Sequence, residues 1–151
     1  MRDDINMHVK QAMRDKDKDR LTTLRLINAA IKDRDIAARS NGNFDGVSDD
    51  EILQVLTKMV KQRNESAKIY EEGARLELAE KERGEIQVIE QFLPKQMNDE
   101  ELRNAVHKAI EDTGAEGIRD MGRVMGALKG AYAGQMDFGK AGVFVKDLLG
   151  N

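Results

Sequence analysis

Lys18, Arg25, Lys32 and Arg39 recur at intervals of seven residues. On an α-helix seven positions fall short of two full turns by only about 20°. The four cations therefore form one gently winding row if the segment is helical. A row of that kind can meet successive phosphates of a nucleic acid, each contact releasing counterions. The plainer alternative is a solvated helix face, because Asp33 and Asp35 are interspersed with the row. Further along, Lys58, Lys61 and Lys68 share a second helical face, and Lys61 joins the candidate RNA-binding set. Arg63 falls about 140° from Lys58, nearer the apolar side. It is expected to brace packing or to pair with Glu85 or Glu90.

A second candidate is Met121-Gly122-Arg123-Val124-Met125-Gly126, where two glycines stand four apart on one helical face. Each glycine costs a helix roughly 1 kcal/mol relative to alanine, so something should compensate. Either another helix backbone approaches closely there, with the methionines filling gaps, or bare backbone at Gly122 and Gly126 meets a ligand such as RNA, with Arg123 directed at a phosphate. His8 and His107 stand alone, without partners at trusted metal-ligand spacing. A carboxylate pair across the chain, Glu72 with Glu85, is possible but undirected. The chain has no cysteine, which removes thiolate metal sites and cysteine nucleophiles. No phosphate loop, nucleophile elbow or H-E-x-x-H pattern occurs. No catalytic residue, metal ligand or cofactor is expected.

The elements that position these residues are helices. Ile5, Val9 and Ala12 mark a short first helix. The alternating run from Arg14 to Arg20 reads as a solvated link in which Asp17 can cap the next helix, whose face is Leu21, Leu24, Ile27, Ala30 and Ile31. Turn chemistry fills Ser40 to Gly46, and Ser48 with Glu51 fits a capping box. Ile52, Val55, Leu56, Met59 and Val60 then recur at helical spacing. After Gly73 the pattern resumes with Leu76, Ala79, Ile86, Ile89 and Leu93, until Pro94 stops it. The result is a long helical hairpin. Beyond it Asn98 starts another helix, Gly114 ends it, Met121 to Leu128 forms a short one, and Asp137 caps a last helix carrying Val143, Phe144, Val145, Leu148 and Leu149. The fold expected is all-α, with an N-terminal helical domain over 1–94 and a small helical domain over 95–151.

Composition agrees with long amphipathic helices: 35% of residues are charged, 4% are aromatic and one is proline. The net charge of −3 predicts no obligatory polyanion partner by itself. The N-terminus lacks a signal-like apolar run and no segment approaches membrane-spanning length, so a cytoplasmic protein is expected.

Three segments, LRLINAAIK (Leu24 to Lys32), KQRNESAKIYEEGARLELAEKERGEIQVIEQFLPKQMNDEEL (Lys61 to Leu102) and MGRVMGAL (Met121 to Leu128), together closely resemble the YqeY family. That family is similar to the tail region of the B subunit of the tRNA-dependent amidotransferase. The resemblance spans nearly the whole chain and implies two all-helical domains and an association with tRNA. Amide transfer belongs to a separate cradle domain with no counterpart here. A family label of carbon–nitrogen ligase with glutamine as amido donor would thus be inherited from the larger protein. The chain departs from the family's arginine-containing turn at Gln135, so no site is carried there. Arg123 stands where the family has a lysine or arginine. The first reading is a tRNA-binding accessory module using Lys18, Arg25, Lys32, Lys61 and Arg123, without independent catalysis. Its alternative is an adaptor docking on an aminoacyl-tRNA synthetase or amidotransferase through the glycine-rich C-terminal face.

Overall fold

In a computed structural model of the chain, residues 1–150 are described and are all-helical. The elements are α1 (Arg2–Arg14), α2 (Lys18–Arg39), α3 (Asp49–Glu72), α4 (Leu76–Glu90), α5 (Asp99–Thr113), a 3-10 turn (Ile118–Asp120), α6 (Met121–Tyr132) and α7 (Phe138–Leu149). They form two compact units, Met1–Pro94 and Lys95–Asn151.

In the first unit, α3 and α4 form the hairpin that the periodicity predicts, α2 packs against both of its arms, and α1 packs against α2. Ile5, Leu24, Ile27, Ile52, Leu56 and Ile89 are completely buried in its core. Arg63 lies inside the hairpin, its Nε donating to Glu85 at 2.9 Å with both side chains about 15% exposed, so the expected pairing resolves to Glu85. Glu85 is thereby unavailable as half of a carboxylate pair with Glu72. Glu71 in turn is bound by Arg83.

The turns are more tightly built than turn propensities foretell. The hairpin breaks around Gly73, but Gly73 keeps φ −86° and the left-handed residue is Ala74 at φ 59°. The N–H of Arg75 reaches Tyr70 O at 2.7 Å and that of Ala74 reaches Glu71 O at 3.1 Å. These are the two bonds of a Schellman cap. The charged link after α1 is another: Lys16 is left-handed, and the N–H of Asp17 bonds Ala12 O at 3.0 Å. It is an ordered turn, and Asp17 then caps α2 by accepting from the Arg20 N–H.

Two sequence expectations change. At Ser48 only half the capping box forms, because the Glu51 carboxylate turns to the Ser48 hydroxyl at 3.5 Å; the complete box is at Asn98 and Glu101. In addition, α4 ends at Glu90, short of Pro94, and Phe92 folds into the core.

The second unit packs α5, α6 and α7 around Leu102, Val106, Val124, Leu128, Ala141 and Val145. Gly114, at φ 65°, ends α5 in the left-handed conformation that glycine adopts without strain. Asp137 caps α7 through the Gly139 and Lys140 N–H groups. Not every apolar residue of α7 goes inside. Ala141, Val145 and Leu149 follow the i, i+4, i+8 face that meets the core, whereas Val143 is 58% exposed and Leu148 39%.

Candidate nucleic-acid interface

In the first unit Lys18, Arg25, Lys32 and Arg39 are all exposed on α2. The row is ordered from within: Leu24, Ile27 and Ile31 are buried on one side of the helix, which leaves the row about 130° away, in water. At 1.5 Å per residue it is roughly 30 Å long. Among the described residues, the side chains of Lys18, Arg25 and Lys32 form no ion pair or hydrogen bond, and Arg39 feels only Asp35 at a distance. Asp35 is itself engaged by Arg2 and the Val47 N–H, and Asp33 lines the groove towards α3, so neither acid forms an ion pair with the row.

Lys61 does not join that row. The side of α2 that faces α3 is marked by Ala30, Asp33, Arg34 and Ala37, which line a groove of about 450 Å³ with Gln54, Val55, Lys58, Met59 and Gln62. The row lies about 140° round α2 from that side. Lys61 is exposed on α3, on a separate face. The groove brings together Arg34 and Lys58, of which Arg34 escaped the sequence reasoning. Nothing in the local pattern distinguishes Arg34 from an ordinary surface cation, since its position depends on where α3 packs.

In the second unit the outer face of α6 carries Gly122, Gly126 and Gly130, all exposed. A Cβ built on any of the three meets nothing within 4 Å. The reading in which another helix backbone packs on Gly122 and Gly126 is therefore overturned. Val124 and Leu128 are the residues of α6 that go inside, and the glycines point the opposite way. Arg123 flanks the glycine face on one side and Lys129 on the other. Arg123 is 58% exposed, yet its guanidinium lies 3.2 Å from Asp120. The Asp120 carboxyl is held below the ordinary range chiefly by the Glu116 N–H, with the Gly117 N–H and nearby Arg123 and Arg119 assisting. Arg123 is therefore a partly compensated cation rather than a free one.

This open space has a measurable consequence. Gly122→Ala and Gly126→Ala are each expected to raise thermal stability by about 1 kcal/mol, as alanine does in an unobstructed helix. If the bare face meets RNA, both also weaken RNA binding. Gly84→Ala, in equally open space on α4, serves as the control that stabilises without affecting binding. A loss of stability on melting either α6 variant would contradict the open face.

His8 is held structurally. Arg20 Nη2 lies 2.8 Å from Nδ1, and since a guanidinium only donates, Nδ1 is the acceptor nitrogen. The ring packs edge-on against Phe92 with centroids 5.0 Å apart. Among the described residues no group of three His, Asp or Glu side chains could hold a metal, and no buried side-chain nitrogen or oxygen lacks a partner. No described helix is long and apolar enough to cross a membrane.

The family model described as "Yqey-like protein" matches residues 2–149. Over 89 residues the chain is 38% identical to "Altered inheritance of mitochondria protein 41, mitochondrial" of Candida glabrata, covering 59% of this chain and 47% of that protein. It is 32% identical over 91 residues to an "Uncharacterized protein" of Schizosaccharomyces pombe, covering 60% and 69% respectively. The protein of Pyrenophora tritici-repentis with the same name as the Candida glabrata one is 27% identical over 134 residues, covering 87% and 70%. The chain spans about half the length of the Candida glabrata relative. None of these names mentions RNA or amide transfer.

Proposed function

The chain belongs to the YqeY-like family, and we propose that it acts as an RNA-binding accessory module, with tRNA as its ligand and no chemistry of its own. What supports this reading most is the row on α2: cations in register over roughly 30 Å, exposed and unpaired within the protein. Binding a polyanion supplies the phosphates that such a row lacks, and the free energy comes from counterion release. The α6 face of Gly122 and Gly126 adds a place where a sugar–phosphate backbone can come close, with Arg123 beside it. Lys61 contributes from α3 as an outlying phosphate contact. The tRNA context implied by the resemblance to the amidotransferase tail belongs to this same proposal, whereas a carbon–nitrogen ligase label would describe the larger protein and not this chain.

A second reading, an adaptor that docks on an aminoacyl-tRNA synthetase or amidotransferase, is favoured by the same open glycine face, which a partner helix could also approach. The cytoplasm remains the proposed location. The mitochondrial names of the fungal relatives make the mitochondrion the competing one.

The test is fluorescence anisotropy with labelled tRNA across a salt series. Binding in the micromolar range is expected at low salt, with a log–log slope of roughly −3 for a handful of phosphate contacts. No binding at 20 mM salt, or binding indifferent to salt, would exclude the RNA reading. A pulldown that retains the same protein partner after RNase treatment would favour the adaptor.

A further inference from the structure

The cation row ends at Arg39, and the chain immediately after it presents Phe44, the most exposed large apolar side chain of the described residues at 76%. The loop that carries it is fixed. The Asn43 N–H bonds Ala38 O at 3.1 Å, folding the chain back on the last turn of α2. Asn43 Oδ1 accepts from the Asp45 N–H at 3.1 Å, and its amide donates to Gly46 O at 3.3 Å. Past the tip, the Val47 N–H donates to Asp35 at 2.9 Å and the Val47 side chain is buried. Gly46 holds φ +92° with Arg2 against it, a conformation and a clearance that suit glycine. An aromatic ring is thus held in water at the end of a cationic track.

A lone exposed phenylalanine is ordinary on a protein surface. The remaining aromatics give Phe44 its significance. Phe92 is buried against His8, Arg103 covers the Phe144 ring at 5.0 Å, and Phe138, Tyr70 and Tyr132 are half-buried. If the protein takes hold of a nucleobase by stacking, Phe44 is the ring presented for it. Single-stranded RNA recognition combines a positive track along the backbone with aromatic side chains on which bases stack. Here the track and the ring are adjacent in one unit, and the loop is ordered before any ligand arrives, so little ordering cost falls on binding.

We propose that Phe44 is a base-stacking residue: with RNA backbone laid along the α2 row, its ring takes an unpaired nucleobase at the Arg39 end. The inference rests on the RNA reading above and narrows the ligand to RNA in which an unpaired base adjoins a run of backbone. Since every base offers a π-face, the preference is for an unpaired base and not for a particular one.

The chain contains no tryptophan, so Phe44→Trp places a single tryptophan at the loop tip, which can be excited selectively over Tyr70 and Tyr132. Two RNAs with equal numbers of phosphates are compared, a hairpin with an unpaired loop and a blunt duplex. Emission of the Phe44→Trp protein is expected to be quenched by the hairpin and not by the duplex. Phe44→Leu, which keeps an apolar side chain without a flat ring, is expected to bind the hairpin about tenfold more weakly and the duplex as the wild type does. Unchanged emission at saturation with the hairpin, or equal hairpin affinity for Phe44→Leu and wild type, overturns the stacking role while leaving the row intact. Failure of the wild type to bind either RNA overturns the RNA reading together with it.

Discussion

Arg25→Glu combined with Lys32→Glu is expected to weaken tRNA binding by about 50-fold at 0.1 M salt. The magnitude follows from counterion release, in which each phosphate contact adds about 0.7–0.9 to the slope of log affinity against log salt. One decade below molar salt, two contacts amount to roughly 25- to 60-fold, and the two new carboxylates add repulsion. The slope itself should fall by about 1.5. Both side chains are exposed, so the melting temperature should barely move, which separates lost binding from lost folding. Lys108→Glu with Lys146→Glu, two exposed cations of the second unit, changes net charge equally. If that pair weakens binding as much as the α2 pair, the row is not the contact and binding reflects overall charge alone.

The largest expected effect on stability lies at Asp35. Its carboxylate accepts from Arg2 Nη2 at 2.6 Å, from Arg2 Nη1 at 2.8 Å and from the Val47 N–H at 2.9 Å. Arg2 also donates to Val47 O at 3.2 Å. One carboxylate therefore ties the start of α1, the C-terminal end of α2 and the loop before α3 together. The Arg2 guanidinium, assisted by the Val47 N–H, lowers the Asp35 pKa to about 2. A carboxyl depressed in the folded state lends stability that is fully present above its unfolded pKa near 4. That stability is lost as pH falls from about 4 through about 2. By that shift the contribution is about 2 kcal/mol at neutral pH. Asp35→Ala removes it and also leaves a guanidinium and a backbone N–H without their acceptor, for a total of about 3 kcal/mol. In thermal melts this corresponds to a drop on the order of 15 °C for a unit of this size. The difference between wild type and Asp35→Ala should narrow on acidification from pH 5 to pH 2. A difference independent of pH would mean that packing, not the ion pair, is responsible. Because this same contact fixes the loop of Phe44, Asp35→Ala should also loosen the loop, so its RNA affinity is best compared below its melting temperature.

Much of the architecture was legible residue by residue. Capping and stop signals act over one turn of helix and depend on the residues in that turn. Asp17, Asn98, Gly114 and Asp137 therefore perform in the fold the roles that their positions imply. Arg63 could be matched with Glu85 or Glu90 because a buried cation on an apolar face requires an acid across the hairpin, and the packing of the two arms selects Glu85. The left-handed Ala74 was less visible. Gly73 is the stronger local signal, but the hydrogen bonds from Ala74 and Arg75 back to Glu71 and Tyr70 place the reversal one residue later. The exposed Val143 and Leu148 have a similar origin. Periodicity identifies an apolar set, while the neighbouring helix decides which of its members are covered.

The candidate site divides along the same line. A spacing of seven residues is a property of the chain, and with helix geometry alone it places Lys18, Arg25, Lys32 and Arg39 in one row. Whether acids neutralise that row depends on partners distant in sequence, and only the tertiary structure engages Asp35 with Arg2, 33 residues away. The glycines of α6 show the complement. Their spacing is equally compatible with a packed or an open face, and it was the placement of Val124 and Leu128 against α5 and α7 that turned Gly122 and Gly126 outward. Lys61 and Arg34 depend wholly on how α3 lies against α2. The sequence determined the helices, their caps and the cation row, because these rest on interactions within a turn or two of chain. The tertiary structure decided which faces stay open and which charges stay unpaired, because both depend on what packs against a helix from elsewhere in the chain.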